Sequence, residues 1–219
     1  DVAPSRGLGD VYKRQMKMHF VETIKIKDGT VMALPYHQTR MERTVRRFFP
    51  GLALHDMPRL CEIIDAKAGK GILKARVVYG EKGVETVEYA PYHMREMKTL
   101  QVVEGGDISY EYKSTDRSRL NMLAEKKGNA DEVIILKHGL LTDTSFTNIA
   151  IHDGNGWITP RCPLLYGTKR AALLDQGVLT EADITIGDLR RATRVSLFNA
   201  MIDFGEREIA VNDINTELI

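Results

Sequence analysis

The residues of this chain that could do chemistry are a lysine, an arginine and a glycine-containing turn. Lys113 follows a short predicted strand and precedes a predicted helix, whose positive end favours the neutral amine that attacks carbonyl groups. Arg40, on the first predicted helix, can hold a phosphate through two parallel hydrogen bonds. The backbone N–H groups of Gly167, Thr168 and Lys169, at a later helix start, can bind the same phosphate. Together these residues suit one anionic, carbonyl-bearing cofactor.

Each of these residues also has an ordinary structural interpretation. A single lysine beside a helix, such as Lys113, is more often simply solvated. Arg40 shares a helical stripe with Arg43 and Arg47, which a charged surface explains equally well. Gly167 and Thr168 also fit a plain turn and helix cap. The prediction of a site therefore depends on the combination of these residues.

Several common motifs are missing from the sequence. Gly69 and Gly71 lack the third glycine of a dinucleotide-binding loop, because Lys74 stands at that position, and no GxxxxGK[ST] loop is present. The six histidines form no HExxH pair, and none clusters with a cysteine, so we expect no catalytic metal. Ser145 and Ser196 have no GxSxG context. Nucleotide binding, metal catalysis and serine acyl transfer therefore have no support.

The composition restricts the class of protein and its partners. With 43% hydrophobic and 28% charged residues, and no apolar run near the roughly 18 residues of a membrane span, we expect a globular protein without a membrane role. The charges, 31 basic against 30 acidic, give +1 and predict no general attraction to nucleic acid. A basic patch on the first helix (Arg40, Arg43, Arg46, Arg47) is a weaker alternative, because it has few aromatic stacking partners. Two distant cysteines, Cys61 and Cys162, favour the reducing cytoplasm.

The pattern of hydrophobic residues indicates a mixed α/β (α+β) chain of two subdomains, over residues 16–105 and 106–219. Residues 1–15 have neither helical nor strand periodicity, and we expect a non-native or disordered tail there. In the first subdomain we predict a hairpin over residues 18–33, helices over 35–49 and 57–68, a hairpin over 72–89 and a strand over 100–103. In the second we predict helices over 115–127 and from a cap at Thr168, a polar turn over 142–145, and strands over 132–136, 147–152, 157–159 and 194–198.

Five short motifs, in the same order along the chain, resemble those of the class IV aminotransferase family. Residues 20–24 (FVETI) resemble its FETI opening, and residues 37–41 (HQTRM) its HxxRL element. Residues 113–117 (KSTDR) resemble K-x-x-N-R, and residues 141–149 (LTDTSFTNI) resemble VTE-x-x-x-xNI. Thr159-Pro160, followed by residues 164–170 (LLYGTKR), resembles TP…LPGITR. The resemblance spans about residues 18–211.

This resemblance implies pyridoxal-phosphate fold type IV, in which two α/β subdomains enclose the cofactor and the enzyme is normally a homodimer. By the same resemblance Lys113 is the Schiff-base lysine, and Arg40 binds the phosphate with Gly167, Thr168 and Lys169. Asp143 takes the place of the acid that faces the pyridine nitrogen, and Asn148 fixes the turn around it. The implied partner is a small amino-acid-like substrate.

The chain departs from the family pattern at two places. Asp143 stands where the family has Glu, which shortens the reach of the carboxylate by one methylene. The family also has a DRG…YGDG segment just before FETI. Residues 5–10 (SRGLGD) imitate this segment, but ten residues separate Gly9-Asp10 from Phe20 where the family has only a few, so we treat that match as accidental.

Two activities of the family compete. Aminotransferases exchange an amino group between two substrates, whereas 4-amino-4-deoxychorismate lyase releases pyruvate and leaves p-aminobenzoate, a folate precursor. The short chain favours the lyase, and residues 198–201 (FNAM) resemble its NAL element, with Asn199 as a candidate contact to substrate or cofactor. An ordinary strand end explains Asn199 equally well. We expect the lyase, with a branched-chain or D-amino acid type aminotransferase as the alternative.

Overall fold

A computed structural model describes residues 18–66 and 70–218 of the chain. Its first sheet has four antiparallel strands in the order β2-β1-β3-β4. The strands are β1 (Phe20–Lys27), β2 (Thr30–Val31), β3 (Ile72–Gly80) and β4 (Gly83–Pro91). The helix α1 (Leu34–Phe48) packs against this sheet, and α2 (Leu60–Ile63) follows a turn of 3-10 helix at Leu54–Asp56. Both predicted hairpins and the first helix are confirmed.

The first core forms because β1 alternates between two environments. Phe20, Ile24 and Ile26 point to one side of the strand and pack with Met41 and Val45 of α1. Pro35 stands in the first turn of α1, where its missing N–H costs no helical hydrogen bond. Glu22 lies on the same side of β1 as these apolar residues and is fully buried. This acid in an apolar layer needs polar partners, which it finds on α1.

The second sheet has nine strands. Its main order is β10-β9-β8-β7-β6-β5-β13, and β11 pairs with both β8 and β12. The strands are β5 (Leu100–Glu104), β6 (Glu132–Lys137), β7 (Leu140–Thr144), β8 (Asn148–His152), β9 (Trp157–Pro160), β10 (Thr180–Ala182), β11 (Arg194–Phe198), β12 (Glu208–Ala210) and β13 (Ile214–Asn215). The helices of this half are α3 (Ser118–Glu125), α4 (Thr168–Asp175) and α5 (Ile186–Arg191). The mixed α/β fold class is confirmed.

Several predicted elements have different bounds in the structure. The predicted helix over residues 57–68 is only the four-residue α2, and residues 67–69 lie outside the described part. The predicted polar turn over residues 142–145 was wrong, because Thr142 to Thr144 belong to β7. Thr168 is the first residue of α4, and Gly167 is its cap. The strands β10, β12 and β13 and the helix α5 were not predicted.

The division into two subdomains at residue 105 stays a prediction, and so does the assignment of residues 1–15 as a tail. The strand β5 pairs with β6 of the second sheet, although it lies before residue 105. Residues 1–15 lie outside the described part of the chain. Among the described residues no helix is long and apolar enough to cross a bilayer.

Candidate active site

One cavity of about 400 Å³ is lined by residues from both sheets. Seven of the eight residues singled out from the sequence lie on its wall: Arg40, Lys113, Asp143, Asn148, Gly167, Thr168 and Asn199. The eighth, Lys169, does not. The structure therefore brings together residues that lie up to 159 positions apart in the chain, from Arg40 to Asn199.

Lys113 lies in an irregular segment that is attached to the start of β1. Its carbonyl accepts a hydrogen bond from Val21 N at 2.9 Å, and Phe20 forms a single β-bridge with Ser114. Burial, and then the charge of Arg40, lower the pKa of Lys113 to about 7. Helix α3 begins only at Ser118, so Lys113 does not directly precede a helix as the sequence suggested. Burial and the charge of Arg40 bring the neutral amine within reach of physiological pH.

Arg40 is bound to Glu22, an acid that the sequence analysis did not single out. Arg40 Nε donates to Glu22 Oε1 at 2.9 Å, and Nη2 donates to Oε2 at 2.5 Å. Burial alone would raise the pKa of Glu22, but Arg40 and a hydrogen bond from His37 together lower it to about 2. The two-pronged edge of Arg40 that we expected at a phosphate is therefore used by Glu22. Among the described residues Arg40 Nη1 has no hydrogen-bond partner, and Arg40 lies on the cavity wall.

His37 links Glu22 to the start of α4. His37 Nδ1 lies 2.6 Å from Glu22 Oε2, and because an ionised carboxylate only accepts hydrogen bonds, Nδ1 carries the proton. His37 Nε2 is then an acceptor for the hydroxyl of Thr168, 3.3 Å away. Burial lowers the pKa of His37, which is consistent with a neutral ring. One buried carboxylate thus orients groups on α1 and, through His37, on α4.

Asp143 and Asn148 face each other across β7 and β8. Asn148 Nδ2 donates to Asp143 Oδ1 and to the carbonyl of Leu165, both at 2.8 Å. The N–H of Leu165 donates to Asp143 Oδ2 at 2.8 Å. Burial is the largest influence and raises the pKa of Asp143 to about 7. Asp143 is thus a buried carboxyl on the cavity wall whose bonds come from neutral groups.

The start of α4 supplies backbone N–H groups beside this pair. The first N–H groups of a helix have no partner within the helix, so they can bind an anion. A side chain at Gly167 would overlap Asn148 Oδ1, so the chain can approach Asn148 this closely only with glycine. The side chain of Lys169 leaves the cavity, since its Nζ donates to Asp203 Oδ1 at 2.6 Å. Only the backbone N–H of Lys169 stays a candidate for the predicted phosphate contact.

Asn199 lies on the cavity wall, but most of its amide holds a loop in place. Its Oδ1 accepts from the N–H of Met201 at 2.8 Å and of Ile202 at 3.0 Å. Its Nδ2 donates to the carbonyl of Phe146 at 3.1 Å. In the described part of the chain nothing accepts the second hydrogen of Nδ2.

The cavity wall carries an excess of basic side chains. Six basic residues line it: Arg40, Lys74, His93, Arg95, Lys113 and Arg117. Asp143 is the one acid on the wall among the described residues. In the same described part of the chain, no cluster of three or more His, Cys, Asp or Glu side chains could hold a metal ion. The cavity therefore favours an anionic organic ligand.

Two sheets that share one cavity, with an amine and a buried carboxyl on its wall, define an α/β protein that binds a small molecule between its layers. The chain belongs to the amino-transferase class IV family, which matches residues 19–206. Membership of this family implies an enzyme of the pyridoxal-phosphate-dependent class IV group.

Three relatives show the range of the similarity. A crystal structure from Haemophilus somnus, provisionally named a 4-amino-4-deoxychorismate lyase, is 33% identical with a TM-score of 0.78, over 84% of this chain and 96% of that one. An uncharacterized protein of Haemophilus influenzae is 32% identical over 82% of this chain and 96% of its own length. A protein of Schizosaccharomyces pombe, provisionally named an aminodeoxychorismate lyase, is 26% identical over 79% of this chain and 82% of its own.

Proposed function

We propose that this protein is a pyridoxal-phosphate-dependent lyase that converts 4-amino-4-deoxychorismate to p-aminobenzoate and pyruvate. The observation that carries the proposal is the convergence of Lys113, Asp143 and the start of α4 on one cavity. The names of the Haemophilus somnus and Schizosaccharomyces pombe relatives support the choice of reaction.

The residues present fit this cofactor. Asp143 is 3% exposed, and the hydrogen bonds to its carboxyl come from neutral groups such as the Asn148 amide and the N–H of Leu165, so a protonated ring nitrogen would supply a positive charge in direct contact with it. Arg40 Nη1 and the first N–H groups of α4 would hold the phosphate. Lys113, with an amine that is neutral near pH 7, would hold the aldehyde carbon.

Pyridoxal phosphate, when bound, supplies an electron sink next to the amino group of the substrate. The residues of this chain then have three tasks. Lys113, with a pKa near the working pH, accepts and returns a proton. Asp143 holds a proton at the ring nitrogen, and Asn148 holds Asp143 in place. The basic side chains on the wall attract and orient an anionic substrate.

An aminotransferase is the second candidate, since the family includes this activity. The shorter side chain of Asp143, in place of Glu, favours the lyase, because a weaker hold on the ring proton suits elimination of a good leaving group better than full transamination. We further propose that the enzyme is a homodimer, as the family resemblance implies, which light scattering would test. The two distant cysteines favour the cytoplasm, which cell fractionation would test.

The experiment is to load purified protein with pyridoxal phosphate and add 4-amino-4-deoxychorismate. We expect p-aminobenzoate and pyruvate in equal amounts, with the cofactor unchanged after turnover. Lys113→Ala should abolish both products, whereas Lys98→Ala, an exposed lysine paired with Glu96, should not. Conversion of the cofactor to pyridoxamine phosphate by a single amino acid, without p-aminobenzoate, would instead establish an aminotransferase.

A further inference from the structure

The proposed function assigns no specific contact to part of the basic cavity wall. The segment between β4 and β5 contributes Tyr92, His93 and Arg95 to the wall, and none of them belongs to the motifs used above. Of the three, Arg95 has the most defined surroundings. Its side chain is 53% exposed, so a ligand in the cavity can reach it.

The guanidinium of Arg95 is held through one of its three nitrogens, Nη2. Its Nη2 donates to Glu132 Oε2 at 2.6 Å and to the carbonyl of Asp131 at 3.2 Å. Glu132 is 3% exposed, and its other oxygen accepts from the N–H of Val133 at 3.0 Å. The guanidinium is therefore held by a rigid, buried acid, while Nε and Nη1 take no part in these bonds. Nε and Nη1 lie on different sides of the guanidinium, so each can donate a single charge-assisted hydrogen bond to a carboxylate.

Phe146 connects Arg95 to Asn199. The guanidinium carbon of Arg95 lies 5.0 Å from the centre of the Phe146 ring. The carbonyl of Phe146 accepts the bond from Asn199 Nδ2 described above. Arg95 and Asn199 are thus attached to the same residue of the cavity wall, one through its ring and one through its backbone.

We infer that Arg95, with Phe146 and the remaining amide hydrogen of Asn199, forms a subsite that binds a carboxylate of an aromatic or cyclohexadiene substrate. The subsite is separate from the residues assigned to the phosphate and to the ring nitrogen. This inference rests on the proposed function for the identity of the substrate. The chemistry of the subsite is a charged hydrogen-bond donor beside an apolar ring, and it suits any aryl carboxylate.

Arg95 has a second possible role, which is only to neutralise the buried Glu132. Arg95→Lys separates the two roles. A lysine can still pair with Glu132 and keep the fold, but its one nitrogen is then used by Glu132, and it has no second nitrogen that could donate to a ligand. Arg161→Ala is the matched control, because Arg161 is 54% exposed and pairs with Asp183 at 3.3 Å, away from the cavity.

The test measures how the protein loaded with pyridoxal phosphate binds benzoate and its neutral counterpart benzamide, by calorimetry. We expect the wild type and Arg161→Ala to prefer benzoate. Arg95→Ala should reduce this preference by about three- to tenfold, and Arg95→Lys by part of that, since the site is half exposed. The affinity for the cofactor should stay unchanged in all three variants.

An unaltered preference for benzoate in both Arg95 variants, or an equal loss for benzoate and benzamide, would overturn the inference. The formation of p-aminobenzoate is measured separately on the same samples. If the wild type forms p-aminobenzoate and its KM is the same in Arg95→Lys, the subsite is wrong and the proposed function stands. If Arg95 controls benzoate binding but no p-aminobenzoate forms, the subsite stands and the proposed reaction is wrong.

Discussion

Replacing Gly167 with alanine is the change that tests the geometry of the site most directly. Gly167 caps α4 with φ −69° and ψ 146°, a conformation that alanine adopts without strain. The difficulty is a contact, because the added Cβ would overlap Asn148 Oδ1. The backbone on both sides belongs to a helix start and a central strand, so the amide of Asn148 must move.

The cost follows from the bonds that Asn148 makes. Moving its amide breaks the bond from Nδ2 to Asp143 Oδ1 and the bond to the Leu165 carbonyl, both 2.8 Å long. A bond to a carboxylate contributes about 1.5–3 kcal/mol and a neutral one about 0.5–1.5 kcal/mol. We therefore expect the free energy of unfolding to fall by about 2–4 kcal/mol. In a chain of this size that lowers Tm by about 5–15 °C.

The assay is thermal and urea unfolding of the protein without added cofactor, followed by titration with pyridoxal phosphate. Gly156→Ala is the control, because Gly156 lies in the turn between β8 and β9 and nothing stands within 4 Å of its added Cβ. A Gly167→Ala protein as stable as Gly156→Ala would show that Asn148 reorients freely. The account of Gly167, Asn148 and Asp143 as one packed unit would then be wrong.

Three further predictions follow from the charges of the site. With its pKa lowered to about 7, the Lys113 amine should react with pyridoxal phosphate more completely as the pH rises from 6 to 8. Borohydride trapping and peptide mapping would measure this, and Lys113→Ala should give no adduct. The pKa of Asp143 is raised from 3.8 to about 7, so between these two pH values the folded state binds more protons than the unfolded chain. The free energy of unfolding should therefore fall as the pH rises from about 3.8 to 7. Urea unfolding should show a smaller fall for Asp143→Asn. Arg40→Ala leaves Glu22 buried without its cation, so it should lower the free energy of unfolding by about 3–5 kcal/mol and weaken cofactor binding. Arg43→Ala, at an exposed position, should change the free energies of unfolding and of cofactor binding by less than about 1 kcal/mol.

The parts of the fold that were predicted correctly have a strong local pattern. Strand β1 alternates, Pro35 marks the start of α1, and glycines mark the turns of both hairpins. The wrong prediction at residues 142–145 has a physical cause. Thr142, Asp143 and Thr144 are polar but buried, and a strand tolerates them because side-chain bonds satisfy them, such as Thr142 Oγ1 to the Ile135 carbonyl at 2.8 Å. Polarity alone suggested a turn there.

Only the site residues that belong to short sequence motifs could be predicted. The predicted site residues other than Lys169 do lie on the cavity wall, because short motifs mark local chain geometry. Glu22 and Arg95 were missed, since their importance arises from contacts across 18 and 37 positions in the chain. One signal for Glu22 was present, namely an acid on the apolar side of an alternating strand. For Arg95 no local pattern separates it from other surface arginines.

Burial has opposite effects on the two ionisable groups that matter most in the cavity. It lowers the pKa of Lys113 and raises that of Asp143, in each case because a low-dielectric wall penalises the charged form. Near neutral pH the same wall therefore offers an amine that is partly neutral and a carboxyl that is partly protonated. A ligand that brings a carbonyl to the first and a basic ring nitrogen to the second needs both groups in these states. Pyridoxal phosphate has both features, and its phosphate adds the anion that Arg40 and the start of α4 can accept.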